Sequence, residues 1–154
     1  MIPPHEPVLL DTNVLVHLIR GNPVGQRIAD DHGLRQRAER PLISIVTVGE
    51  LKALATKLAW GVHKQRELEE LIREFVIVNL NQGDIVQHYA DMDNYCERVV
   101  KPARPIGQND LWIAATAAAI DGHLLTTDRD FDHLSPRIKL VRIDPATGTT
   151  LWSL

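Results

Sequence analysis

The chain has 154 residues, 44% hydrophobic and 24% charged, with a formal net charge of -3. These proportions suit one ordinary soluble domain over residues 1–154, and no run approaches the ~20 apolar residues that span a bilayer. The single cysteine excludes an internal disulfide, and the negative balance argues against a protein that holds nucleic acid by charge alone. The start, Met1-Ile2-Pro3-Pro4-His5-Glu6, has neither the basic nor the apolar region of a secretory signal, so cytoplasmic residence is expected.

Pro7-Val8-Leu9-Leu10 reads as a short buried strand, and Asp11-Thr12-Asn13 as a turn into a helix. Pro23 to Arg40 reads as a polar helical segment, broken or bent near Gly33. Pro41 to Val46 is a second strand. Thr47 then opens a helix with Val48, Leu51, Leu54, Ala55 and Leu58 on one face, ending at Gly61. A helix over His63 to Glu74 carries Leu68, Leu71 and Ile72, and Phe75 to Leu80 is a third strand. Asp84 to Val100 is amphipathic, with Ile85, Tyr89, Met92, Cys96 and Val99 at helical spacing, which assigns Cys96 to packing. Lys101 to Gly107, with two prolines, is a loop. Asp110 to Asp121 is an alanine-rich helix able to lie close to a sheet, and Gly122 ends it. His123 to Thr127 and Ile138 to Ile143 complete about five strands, and 145–154 stays unassigned. Strands alternating with helices predict an α/β domain with a central parallel sheet covered on both faces.

The acids fall in a pattern. Asp11 follows the first strand, and Asp128 follows the fourth. Glu50 lies in the first turn predicted after the second strand, and Asp110 in the first turn of the helix feeding the fourth. In a parallel sheet, strand C-termini and the following helix N-termini share one edge, where ligands bind. Taken singly, each acid has a local reading. Asp11 suits an N-cap, Glu50 completes a Thr47-x-x-Glu50 capping box, Asp110 complements a helix dipole, and Asp128 with Asp130 suits a turn. Taken together they would repel one another, and a hard divalent cation relieves that repulsion. Such a cation at a sheet edge points to phosphate chemistry. The seven histidines show no paired zinc-ligand spacing, no Gly-rich phosphate loop follows the first strand, and no Gly-x-Ser-x-Gly occurs.

Four segments carry a resemblance. They are Leu10-Asp11-Thr12-Asn13-Val14-Leu15, Thr47-Val48-Gly49-Glu50-Leu51, Gly107-Gln108-Asn109-Asp110-Leu111-Trp112-Ile113-Ala114-Ala115 and Leu125-Thr126-Thr127-Asp128-Arg129-Asp130-Phe131. In this order the chain resembles the PIN-domain ribonucleases over residues 8–134, and within them the VapC-type toxins of bacterial toxin–antitoxin systems. The resemblance implies a doubly wound α/β fold and Mg²⁺- or Mn²⁺-dependent endoribonuclease activity. It implies that Asp11, Glu50, Asp110 and Asp128 are the acidic site residues, with Asn13 and Thr127 supporting them. It also implies homodimers, and neutralisation by a small antitoxin protein whose C-terminal segment docks in the active-site groove.

In the mechanism expected from these residues, Asp11 and Asp110 hold the metal most directly, and Glu50 and Asp128 complete the shell, partly through water. Thr127 orients a water, and Asp130 is assigned to the outer shell. Lys52, Lys101 and Arg104 are candidate phosphate contacts, set against a plain reading as solvated surface charges. Asp132 is expected outside, beyond the anchor of Phe131. The helices around Leu54, Leu58, Leu68, Leu71 and Ile72 offer a face for a second copy. Two alternatives stand beside the nuclease. One is a non-catalytic RNA- or protein-binding module of the same fold. The other is a haloacid-dehalogenase-like phosphatase using Asp11 as nucleophile, which wants a second acid where this chain has Asn13.

Overall fold

A computed structural model describes residues 2–153. Its six strands are β1 (Val8–Leu10), β2 (Leu42–Ser44), β3 (Val76–Val78), β4 (His123–Thr126), β5 (Lys139–Ile143) and β6 (Thr150–Ser153). Its α-helices are α1 (Thr12–Arg20), α2 (Pro23–Asp31), α3 (Ile45–Lys57), α4 (Val62–Ile72), α5 (Ile85–Asn94) and α6 (Gln108–Ala119). The sheet order is β3-β2-β1-β4-β5-β6, parallel except for the antiparallel β5–β6 pair. The chain steps outward from β1 to β3, then crosses back to place β4 on the other flank of β1. The order therefore reverses between β1 and β4, which is where a doubly wound sheet opens a crevice.

Alternation along the central strands divides the core. Leu10, Leu125 and Val141 face a layer holding Val14 and Leu15 of α1, Ile28 of α2, Leu51 of α3 and Leu68 and Ile72 of α4. Leu9, Leu124 and Leu140 face the opposite layer, with Met92 of α5, Cys96 just beyond it, and Leu111, Ile113, Ala114 and Ala117 of α6. Ala114, Ala115 and Ala117 of α6 are buried, so small side chains do let this helix approach the sheet. Among the described residues no helix is long and apolar enough to cross a membrane.

Several boundaries differ from the sequence reading. Helix α2 stops at Asp31, and Gly33 takes a left-handed φ of +57°, so 34–40 is irregular rather than helical. Helix α3 begins at Ile45, because the Ser44 side chain accepts from the Val46 N–H at 3.1 Å. The Thr47 capping box is therefore not used, and Glu50 lies in the second turn. Helix α5 runs on into a π-helical turn, Tyr95–Val99. The unassigned C-terminal segment supplies β6, through a turn in which Asp144 Oδ1 accepts from the Ala146 N–H and Gly148 adopts a φ of +78°. Of the helix residues offered to a second copy, Leu68 and Ile72 are spent on the core, Leu54 and Leu71 are half-buried, and Leu58 is exposed.

Candidate active site

Register places the first acid. Leu10 of β1 pairs with Leu125 of β4, so Asp11 emerges opposite Thr126 at the switch point. Asp11 caps α1, its Oδ1 accepting from the Thr12 N–H at 2.8 Å. Its Oδ2 accepts from the Thr126 hydroxyl at 2.6 Å and from Asn13 Nδ2 at 3.1 Å. The capping role and a site role are thus compatible, since one buried carboxylate can serve both.

The neighbours are cross-linked around it. Asn13 Oδ1 accepts from the Thr127 N–H at 3.2 Å, so this amide ties Asp11 to the end of β4. Thr126 Oγ1 also accepts from the Asp128 N–H at 3.0 Å, making one buried hydroxyl the link between two acids. The Thr12 hydroxyl donates to Glu50 Oε1 at 2.8 Å, and Thr47 Oγ1 lies 3.0 Å from that hydroxyl. Asp110 stands in the first turn of α6, as expected. Asp128 Oδ1 accepts from the Asp130 N–H at 2.8 Å, capping a 3₁₀ turn over Arg129–Leu134, and Asp130 is exposed.

Electrostatics report the convergence. Burial pushes the Asp11 carboxyl up to about 6, against its hydrogen bonds from Thr126 and Thr12, and the charges of Glu50 and Asp128 add to the rise. Asp110 rises to about 7, through burial first and then the charges of Asp11, Asp128, Glu50 and Asp130. The acids singled out in the sequence thus lie within reach of one another's fields. Among the described residues, no three His, Cys, Asp or Glu side chains are gathered tightly enough to hold an ion on their own. The donors are nonetheless all oxygen and mutually repelling. That suits a hard cation such as Mg²⁺, which keeps several waters and takes only one or two carboxylates directly.

Other expected residues fall differently. Thr127 contributes its backbone N–H, whereas the hydroxyl contact belongs to its neighbour Thr126. Thr12 and Thr47 were also overlooked. Lys52 is engaged by Glu69 at 3.3 Å, while Lys101 and Arg104 are exposed. Asp132 is not outside: it accepts from Arg142 Nε at 2.7 Å. Cys96 is buried as expected, its Sγ 3.3 Å from His133 Nε2.

The raised carboxyls carry a signed consequence. A carboxyl whose folded pKa lies above its ordinary value favours the protonated fold. The contribution of these two carboxyls to metal-free stability should therefore decline as pH rises from about 4 to about 7 and then level off, against the opposite contribution of His17, His32 and His133, whose pKa values burial lowers. Asp110→Asn should flatten that decline and raise the melting temperature at pH 8 in EDTA. An unchanged pH profile in thermal melts would contradict the charge placement.

A doubly wound sheet with an acid-lined crevice at its switch point defines the class of protein. A family model described as PIN domain matches residues 8–135, and the chain belongs to that family. Ribonuclease VapC1 of Haemophilus influenzae (strain R2866) is 32% identical over 121 residues, covering 77% of this chain and 84% of that protein, so the chain groups with the VapC proteins. Ribonuclease VapC2 of Haemophilus influenzae (strain ATCC 51907 / DSM 11121 / KW20 / Rd) is 27% identical over 128 residues, covering 82% and 90%. Among solved structures, VapBC-1 from nontypeable Haemophilus influenzae matches with a TM-score of 0.71 and 27% identity, over 88% of this chain and 96% of that one. VapBC2 from Rickettsia felis, bound to a DNA fragment from its promoter, gives a TM-score of 0.74 at 23% identity, over 88% and 97%, a likeness of fold.

Proposed function

We propose that this chain is a metal-dependent endoribonuclease, the toxin of a toxin–antitoxin pair, acting in the cytoplasm as one 1–154 domain. The observation that carries the reading is the crevice where Asp11, Glu50, Asp110 and Asp128 share one field, in a chain related to proteins named ribonuclease VapC. Asp11 and Asp110 would hold Mg²⁺ or Mn²⁺, with Glu50 and Asp128 reaching the shell through water. Bound there, the cation supplies Lewis acidity and lowers the pKa of a water. The chain's own part is orientation. Thr126 and Asn13 fix the Asp11 carboxylate, Thr12 holds Glu50, and Asp128 is set by its own backbone N–H on Thr126. The phosphatase alternative loses ground because Asn13 bridges Asp11 to the Thr127 backbone rather than supplying a second acid. Asp130 caps nothing of the site directly and stays an outer charge.

The partners are a small antitoxin, as in the VapBC complexes, and a second copy of the chain, for which Leu58 and Val62 leave exposed apolar surface. The deciding experiment is cleavage of RNA by the purified chain with Mg²⁺ or Mn²⁺ and with EDTA. Metal-dependent internal cuts are expected, and metal should raise the melting temperature more at pH 8 than at pH 5. RNA left intact by folded, metal-supplied protein would leave only the binding-module alternative. Expression without antitoxin should arrest bacterial growth, and equilibrium sedimentation at tens of micromolar should give a dimer mass.

A further inference from the structure

Cations flank the acid crevice unevenly. On the α3–α4 side three are engaged: Lys52 pairs with Glu69 at 3.3 Å, His63 lies 3.1 Å from Glu67, and the Lys64 ammonium sits 4.2 Å from the centre of the Trp60 ring, while Lys57 and Arg66 make no ion pair among the described residues. On the other side, Arg98, Lys101, Arg104 and Arg137 are all exposed, and none has an ion-pair partner among the described residues. The local acids do not neutralise them. Asp93 and Glu97 make no ion pair there, and Asp132 is taken by Arg142.

This patch is built on fixed supports. The Arg104 N–H donates to the Cys96 carbonyl at 2.9 Å, which anchors the middle of the 101–107 loop to a buried residue. Lys101 and Arg104 each precede a proline, which holds their backbones out of the helical region. The Arg137 guanidinium lies 4.6 Å from the centre of the Tyr95 ring, and the Tyr95 hydroxyl donates to the His133 carbonyl at 3.1 Å. The loop end of the patch lies toward the crevice, while Arg137 stands at its far end, ahead of β5, whose Lys139 pairs with the start of β4. The loop leads into α6 and Asp110, and His133 feels both Arg104 and Asp130, the acid that also acts on Asp110.

We propose that Lys101, Arg104 and Arg137 form a track for the phosphates of single-stranded RNA, delivering the strand to the crevice from the side of the Tyr95–Gly107 segment. The proposal rests on the ribonuclease reading and adds the direction of approach. A chain of net charge -3 needs such a local surface to hold a polyanion beside its own acids. Preorganised backbones let these cations bind without first being ordered.

The test measures binding by fluorescence anisotropy in an Asp11→Asn background, so that no strand is cut. The probes are labelled single-stranded RNAs of about 20 and about four nucleotides, titrated against salt. Replacing Lys101, Arg104 and Arg137 together by Gln should weaken the long RNA about tenfold at ~0.1 M salt. It should also flatten the log–log salt slope by about 2, at roughly 0.7 for each phosphate no longer neutralised. The short RNA and the melting temperature should hardly change, and Lys57→Gln with Lys64→Gln should leave the slope as it was. An unaltered slope in a folded triple variant would overturn the track. So would poly-aspartate of matched charge binding as tightly as RNA. A wild type that cuts no RNA while the slope moves as stated supports the track and removes the nuclease reading. A wild type that cuts while the slope stays put removes the track alone.

Discussion

Asp11→Asn should lower metal-dependent RNA cleavage by about 10³-fold or more and leave the fold intact. Asp11 is the buried centre of the crevice, accepting hydrogen bonds from Thr12, Thr126 and Asn13. An amide in its place keeps one acceptor and removes the charge that a cation needs. The same removal relieves a buried carboxylate whose pKa is pushed up to about 6, so the metal-free variant should melt within a few degrees of wild type at pH 7. Single-turnover cleavage and thermal melts in EDTA check the two halves. Cleavage within tenfold of wild type would move the metal away from Asp11. Of the nearby acids, Asp128→Asn should cost more activity than Asp130→Asn, because Asp128 is fastened to Thr126 while Asp130 is exposed.

The second large effect concerns stability. Arg142→Leu should destabilise the protein by about 2–4 kcal/mol in urea or guanidinium unfolding. Arg142 is buried on β5, donating from Nε to Asp132 at 2.7 Å and from Nη1 to the carbonyls of Thr127 at 2.6 Å and Ile143 at 3.3 Å. Leucine fills part of the volume but leaves the Thr127 carbonyl and the Asp132 carboxylate without their donor. Water can still reach Asp132, whose side chain is 33% exposed, and that limits the loss. Cleavage should also fall, because the Thr127–Asp132 segment carries Asp128. A change under about 0.5 kcal/mol would show that the segment holds itself.

What could be read in advance followed from chain direction. Asp11 sits directly beyond β1, Asp128 two residues beyond β4, and Asp110 in the first turn of α6, so an edge site needed only a parallel sheet. What failed needed register or distant partners. The resemblance put the supporting role on Thr127, when pairing sets Thr126 opposite Asp11 and its hydroxyl makes the bond. Starting α3 at Thr47 ignored Ser44, an equally good cap. Asp132 was placed outside because its partner lies on another strand, yet an arginine within the apolar run Leu140-Val141-Arg142-Ile143 was a signal that some carboxylate must be near. Strand β6 was missed for want of an apolar pattern, although Asp144-Pro145 and Gly148 are turn residues.

The bond between Asp11 and Thr126 joins residues 115 apart. A ribosome adding about 5–20 residues each second would take on the order of ten seconds to make that stretch. Until β4 emerges and slots in beside β1, Asp11 has neither its hydroxyl partner nor Asp110 and Asp128 beside it. A nascent chain therefore lacks the assembled acid crevice until translation of the domain is nearly finished. Any partner that must restrain it has the same interval in which to be made.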